Sequence, residues 1–262
     1  DDEANEYFHQ PLGIGVSIPP WNFLLAILVG MTIAPIVVGN TIVLKPASNT
    51  PVIAYKMVEV MIEAGVPAGV INFLPGSSSE IGDLLVESPR VHFISFIGSR
   101  DVGVEIYAKA AVVQPGQRWL KRMTAELGGK DAIIVDKAAD VEAAVEGIVT
   151  SAFGFQGQKC SACSRAIVHQ DVYDAVVEGV VERTRNLVKV GPATEGEATV
   201  GAVVDKKQYE SIKNYIEIGK KEGRLAYQGE NVEGDGYYIP PTIFADVPET
   251  ARIACEEIFG PV

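Results

Sequence analysis

The stretch Val91-His-Phe-Ile-Ser-Phe-Ile-Gly-Ser-Arg-Asp-Val-Gly103 decides the fold. Through Ile97 it is a short apolar run of strand length. It then turns at Gly98-Ser99 and enters a helical pattern over Arg100 to Ala111. The same alternation runs upstream. Thr41 to Lys45 is β-branched and short, a strand by length and composition. Thr50 to Ala64 has helical periodicity, with Ile53, Met57, Val60 and Met61 on one side, and Gly65-Val-Pro67 stops it. Val70 to Leu74 reads as a strand closed by Pro75-Gly76, and Ser78 to Glu87 as a helix capped by serines. Strand and helix in strict alternation predict a parallel sheet with right-handed crossovers.

A second series follows. Helices are predicted over Asp140 to Phe155, Asp171 to Val188 and Asp205 to Glu222. Strands are predicted over Arg165 to His169, Arg224 to Tyr227 and Ile239 to Phe244. Gly128-Gly129 is the hinge between the series, and Gly191 to Thr199 reads as a surface turn. Trp21 to Val38 is nearly all apolar, but Asn22, Gly30 and Pro35 interrupt it. A buried helix is therefore expected rather than a membrane span.

With 262 residues, 47% hydrophobic and 21% charged, the chain can build one large or two ordinary cores. A net charge of −12 argues against nucleic-acid and anionic-membrane partners. Three cysteines make no disulfide framework, so reduced thiols and a cytoplasmic location are expected. The start, Asp1 to Glu6, is acidic and shows no signal peptide. The absence of an initiating Met and the end at Gly260-Pro-Val262 suggest a piece of a longer protein.

Several residues carry possible chemistry. Cys160 follows Gly157-Gln158 in a small turn that can present a thiol without steric cover, and Lys159 favours its thiolate. The plainer alternative makes Cys160 and Cys163 half-buried thiols; a redox dithiol is a third reading. Gly98 and Ser99 reach the start of a helix, where free N–H groups can hold a phosphate, although no G-x-G-x-x-G is present. Glu126, beside Gly128-Gly129 in a mostly apolar stretch, is either a general base of raised pKa or a surface acid. Asn22 is either a helix cap or an oxyanion donor. Lys45 closes a strand at the carboxyl end of the sheet, where α/β ligands bind. His9, His92 and His169 are scattered and offer no base to Cys160, which disfavours a thiol hydrolase. No cysteine–histidine spacing suits a metal.

Taken together and in order, Pro20-Trp-Asn-Phe23, Leu44-Lys-Pro46, Phe96-x-Gly-Ser99 with Gly103, Glu126-Leu-Gly-Gly129, Phe153-x-x-x-Gly-Gln-x-Cys160 and Glu256-Glu-Ile-Phe-Gly-Pro-Val262 resemble the aldehyde dehydrogenase superfamily. Gln158-Lys-Cys-Ser-Ala-Cys-Ser-Arg165 and the insertion Gln117-Arg-Trp-Leu-Lys121 are similar to its branch acting on glutamate semialdehyde. That branch is the 1-pyrroline-5-carboxylate dehydrogenases of proline and arginine breakdown, and the bacterial stand-alone form is most similar. The resemblance implies an α/β fold: a Rossmann-type parallel-sheet cofactor domain over 1–129, then a second α/β catalytic domain over 130–262.

It also implies roles. Cys160 attacks the aldehyde carbon, the Asn22 amide and the Cys160 N–H hold the oxyanion, and Glu126 activates the hydrolytic water. Lys45, Ser48, Gly98, Ser99, Gly103, Glu257, Phe259 and Trp21 serve the cofactor, while Ser161 and Lys159 serve the substrate. The implied cofactor is NAD. Ser48 stands where relatives often carry Glu, which leaves NADP admissible. The implied partner is a small-molecule aldehyde, with no metal, nucleic acid or membrane, and a homo-oligomer for the full-length parent. Leu24 for a usual Pro and Ile97 for a usual Thr depart from the pattern without touching a catalytic group. The chain resembles the central half of a family member, lacking a substrate-anchoring loop and an oligomerisation strand. A succinate semialdehyde dehydrogenase or an inactive folded fragment are the alternative readings.

Overall fold

Five strands in the first half of the chain build one parallel sheet. They are β1 (Ile14–Ile18), β2 (Thr41–Leu44), β3 (Ile71–Phe73), β4 (Phe93–Gly98) and β5 (Arg122–Leu127), in spatial order β3-β2-β1-β4-β5. This computed structural model describes residues 3–194, 196–232 and 234–262. Asp1 and Asp2 of the acidic start, and Glu195 of the loop predicted over 191–199, lie outside them.

Four helices connect the strands: α1 (Ala26–Val37), α2 (Pro51–Glu63), α3 (Ser78–Glu87) and α4 (Arg100–Ala110). Each sheet face gathers its own core. Val16, Ile94 and Phe96 pack with Leu85, Val86 and Ile106 from α3 and α4. Ile42 and Leu44 pack with Leu28 of α1 and with Ala54, Met57 and Val58 of α2. Period-two alternation along parallel strands sorts residues to opposite faces, and helices bury both. The order reverses between β1 and β4. That is the switch point at which α/β sheets open a crevice beyond their carboxyl ends.

The chain divides between Gly128 and Gly129 into two units. In the second, β6 (Ala132–Val135) and β7 (Arg165–Val168) form a parallel pair joined through α5 (Val141–Phe153). α5 and α6 (Tyr173–Leu187) cover this pair around Val135, Val149, Phe153, Val176 and Val180. α7 (Lys206–Glu222), the antiparallel pair β8 (Arg224–Gln228) and β9 (Thr242–Ala245), and the short α8 (Arg252–Cys255) complete the unit around Ile212, Ile216, Ile239 and Ile258. Among the described residues no helix is long and apolar enough to cross a membrane.

Several boundaries differ from the sequence reading. β1 and β6 are additional; Gly15 and Ser17 dilute β1, and β6 is only four residues long. β9 starts at Thr242 rather than Ile239, because Pro240 and Pro241 cannot donate to a ladder. Ser77 precedes α3, but its hydroxyl donates to Glu80 Oε2 (2.7 Å) and caps no backbone N–H. The apolar segment over 21–38 is not a buried helix. Residues 21–25 form a turn, and α1 buries only Leu28 and Thr32, the i and i+4 stripe against the sheet. Leu25 and Val37 stand exposed.

Candidate active site

In the first unit, the predicted site residues follow the carboxyl ends of the strands. β1 runs beside β2, with Ser17 opposite Leu44, and beside β4, with Ile18 opposite Phe96. Beyond these ends come Trp21 and Asn22 after β1, Lys45 after β2, and Ser99 after Gly98 closes β4. The adjacent β5 brings Glu126 opposite Ile97. Residues as distant in sequence as Trp21 and Glu126 are thus gathered at one end of one sheet by topology alone.

Asn22 is only 6% exposed, and the first residue of α1 follows Leu25, so Asn22 is not the helix cap that its position after Trp21 suggested. Lys45 is 3% exposed; its backbone N–H donates to Ser17 O (2.9 Å), and burial pushes its ammonium pKa below the usual range. Ser48 is exposed and donates weakly to Gly76 O (3.4 Å). Ser99 precedes α4 in extended conformation and makes no side-chain cap. The first-turn N–H groups of an 11-residue helix therefore point past an exposed hydroxyl, an arrangement suited to a phosphate. Gly103 lies buried one turn on, where a Cβ would run into Leu127. Glu126 stands exposed on β5, so within its unit it lacks the apolar surroundings the sequence suggested.

Trp119 sits elsewhere. Its Nε1 donates to Val91 O (3.0 Å), and its ring stacks on His92 at 3.7 Å, at the amino ends of the strands. Within the first unit it is therefore a packing residue at the end opposite Lys45 and Ser99.

In the second unit, α5 stops at Phe153, not Phe155, and a strained turn follows. Phe155 (φ 59°), Gln156 (φ 59°) and Gly157 (φ 66°) are consecutive left-handed residues. For each of the two non-glycine residues this conformation costs on the order of 1–3 kcal/mol. Surrounding contacts enforce it. Gln158 is buried and its Oε1 accepts the Val204 N–H (3.0 Å). Gly157 presses so close to the Gly260 carbonyl that a Cβ would collide with it.

The turn delivers two cysteines into opposite environments. Cys160 and Ser161 are exposed, whereas Cys163 is buried. Cys163 N–H donates to Ser151 Oγ (3.0 Å) and its Sγ to Arg165 O (3.3 Å); burial raises its thiol pKa and keeps it protonated. Cys160 is the accessible thiol, Cys163 a packing residue. Lys159 Nζ lies over Gly154, 3.6 Å from where a Cβ there would sit.

The segment ending in Gly260 abuts this turn. Glu257 Oε1 accepts the Gly129 N–H (3.3 Å); burial raises the Glu257 carboxyl pKa, opposed by that hydrogen bond and by the charge of Lys130. Lys130 is lowered to about 8, first by burial and then by the nearby Arg165 cation. Arg165 Nη2 donates to Lys130 O (2.6 Å), and the Ser164 and Arg165 N–H groups both donate to Asp131 O (3.1 Å each). Phe259 is left-handed too (φ 56°). The structure thus brings Cys160, Ser161 and Lys159 into one turn, with Gly260, which follows the Glu257–Phe259 segment, packed against its glycine. Lys130 and Arg165, the cations near Glu257, were missed; Lys130 follows Gly128-Gly129 directly and was legible as a cation beside the hinge.

The profile of the Aldehyde dehydrogenase family matches residues 1–262. A 1-pyrroline-5-carboxylate dehydrogenase of Geobacillus thermodenitrificans is 61% identical over 260 residues, covering 99% of this chain and 50% of the relative. The chain therefore spans about half the length of the curated relatives it matches. The crystal structure of 1-pyrroline-5-carboxylate dehydrogenase from Thermus with bound NAD superposes with a TM-score of 0.93 at 53% identity, over 96% of this chain and 48% of that one. The NAD+ complex of an aldehyde dehydrogenase from Bacillus cereus gives 0.89 at 40% identity, over 97% and 51%. The strand order, the cysteine turn and these matches agree: the chain belongs to the aldehyde dehydrogenase family.

Proposed function

We propose that this chain carries the cofactor-binding and cysteine-bearing parts of a cytoplasmic, NAD-dependent dehydrogenase that oxidises L-glutamate 5-semialdehyde, the open form of 1-pyrroline-5-carboxylate, to L-glutamate. Residues 1–129 are assigned to the cofactor and 130–262 to the cysteine chemistry. The observation that carries this reading is the strained turn over 155–157, which leaves Cys160 exposed and Cys163 buried. Strain held beside an accessible thiol is expected of a nucleophile. The relatives named 1-pyrroline-5-carboxylate dehydrogenase, and the Thermus structure with bound NAD, support the choice of aldehyde and cofactor.

The first unit fits a dinucleotide. A switch point between β1 and β4, an uncapped α4 N-terminus behind Ser99, and a buried cation at Lys45 are the donors that a pyrophosphate and a ribose require. Ser99, Gly98 and Gly103 are assigned to the pyrophosphate, and Lys45 and Ser48 to the adenosine ribose. Ser48 brings no carboxylate, so NADP is an admissible second cofactor. Trp21 is assigned to the cofactor side, and Glu257 and Phe259 to the nicotinamide ribose and ring. NAD, when bound, supplies the hydride acceptor.

The remaining steps belong to the chain. Cys160 Sγ bonds to the aldehyde carbon, and the Asn22 amide and the Cys160 N–H stabilise the oxyanion; one such donor typically contributes about 10²–10³ in rate. Loss of hydride leaves a thioester on Cys160. Glu126 takes a proton from the water that cleaves it, releasing glutamate and the free thiol. Ser161 and Lys159 are assigned to the substrate's carboxylate end. The test is NADH formation by this chain and by the protein at full length, with glutamate semialdehyde against succinate semialdehyde. A clear preference for the former at full length is expected. Oxidation of neither, or preference for succinate semialdehyde, would refute the assignment.

A further inference from the structure

We propose that Gln208, on the first turn of α7, is a positioning residue that holds the Glu257–Phe259 segment in register with the cysteine turn. The proposal rests on the reading that Glu257 and Phe259 serve the nicotinamide end of the cofactor. The Gln208 amide Nε2 donates to two consecutive carbonyls, Ile258 O (3.1 Å) and Phe259 O (3.0 Å). Those carbonyls flank the left-handed backbone of Phe259 (φ 56°), a conformation that a free loop of β or helical geometry would abandon. One side chain thus bridges the two carbonyls on either side of the strained backbone.

The same stretch of chain also grips the cysteine side. Gln208 is fixed by its own N–H donating to Asp205 Oδ1 (2.8 Å), the cap of α7. One residue before that cap, the Val204 N–H donates to Gln158 Oε1 (3.0 Å), two residues from Cys160. One turn further on, Ile212 closes over Gly260, whose Cβ would meet Ile212 Cδ1 at 2.6 Å, and Gly260 in turn buttresses Gly157. Tyr215 donates to Glu256 Oε2 (2.8 Å). Residues 204–215 therefore act as a bracket with two jaws, Gln158 on the cysteine turn and Gln208 on the 258–259 backbone. Gln208 does not touch the thiol; it sets where Glu257 and Phe259 sit relative to it. Loss of its donors should relax Phe259 out of the left-handed region and weaken cofactor binding, while leaving Cys160 accessible.

The test compares wild type with Gln208→Leu, at full length, in three measurements: NAD affinity by titration, the rate at which iodoacetamide alkylates Cys160 by peptide mapping, and the melting temperature without NAD. Gln208→Leu should weaken NAD about tenfold, the weight of roughly one net hydrogen bond, with alkylation within about twofold of wild type and a melting temperature lowered by no more than the few degrees that such a bond is worth. Unaltered NAD affinity overturns the proposal. So does an equal loss in all three, which would mark a general packing residue. Should Gln208→Leu fail to fold, Gln208→Glu, of equal length but without the donor, is measured identically. Failure of wild type to bind NAD would overturn the functional reading itself, an outcome distinct from a normal wild type with an indifferent Gln208 variant.

Discussion

Cys160 and Cys163 lie three residues apart and have opposite fates, which their spacing could not reveal. Sequence offered both as thiols of one motif; burial and the Arg165 carbonyl decide that Cys163 stays a protonated packing group. Lys130 makes the same point about environment. Its pKa falls to about 8 because burial and Arg165 disfavour its charge, while the unfolded chain keeps the usual value of 10.5. Below pH 8 both states hold the proton. Between about 8 and 10.5 the unfolded chain holds a proton that the folded chain has released, so stability should rise with pH across that window. Lys130→Met should remove this rise and stabilise the protein at pH 7 by on the order of 1 kcal/mol, after allowance for partial exposure. Denaturant midpoints at pH 7 and pH 9.5 for both proteins check it. A wild-type midpoint that does not increase would contradict the charge assignment.

At the scale of elements, legibility followed periodicity. α2 and α7 were readable because apolar spacing, a polar or proline start and a glycine stop agreed, and α3 and α4 because their spacing followed a serine start; β1 and β6, short and diluted by small residues, were not. The exposed apolar face of α1 was unreadable because hydropathy reports what a side chain prefers, not what covers it. The turn at 155–157 was unreadable for another reason: contacts from residues distant in sequence, Gly260 on Gly157 and Val204 on Gln158, brace it. Caps give a direct test. Asp140 Oδ1 accepts the Ala143 N–H (3.2 Å) at the start of α5, the helix whose other end launches the cysteine turn. Asp140→Ala should destabilise the second unit by about 1 kcal/mol. An unchanged denaturation midpoint would show that α5 is held by packing alone.

For the whole molecule, six spaced motifs were legible as a family resemblance, and the profile match over residues 1–262 bears it out. Topology then explains why residues so far apart in sequence belong together. The order β3-β2-β1-β4-β5 places Asn22, Lys45, Ser99 and Glu126 at the carboxyl end of one sheet, and Gly157 against Gly260 aligns the Cys160 turn with the Glu257 segment. The central claim is that Cys160 carries the substrate as a thioester during turnover. Its most direct test is to mix the full-length protein with NAD and glutamate semialdehyde, quench in acid within the first turnovers, and map the modified peptides by mass. The account predicts a glutamyl adduct on Cys160 alone, with none on Cys163 or Cys255. NADH formation with Cys160 unmodified, or undiminished in Cys160→Ser, would contradict it.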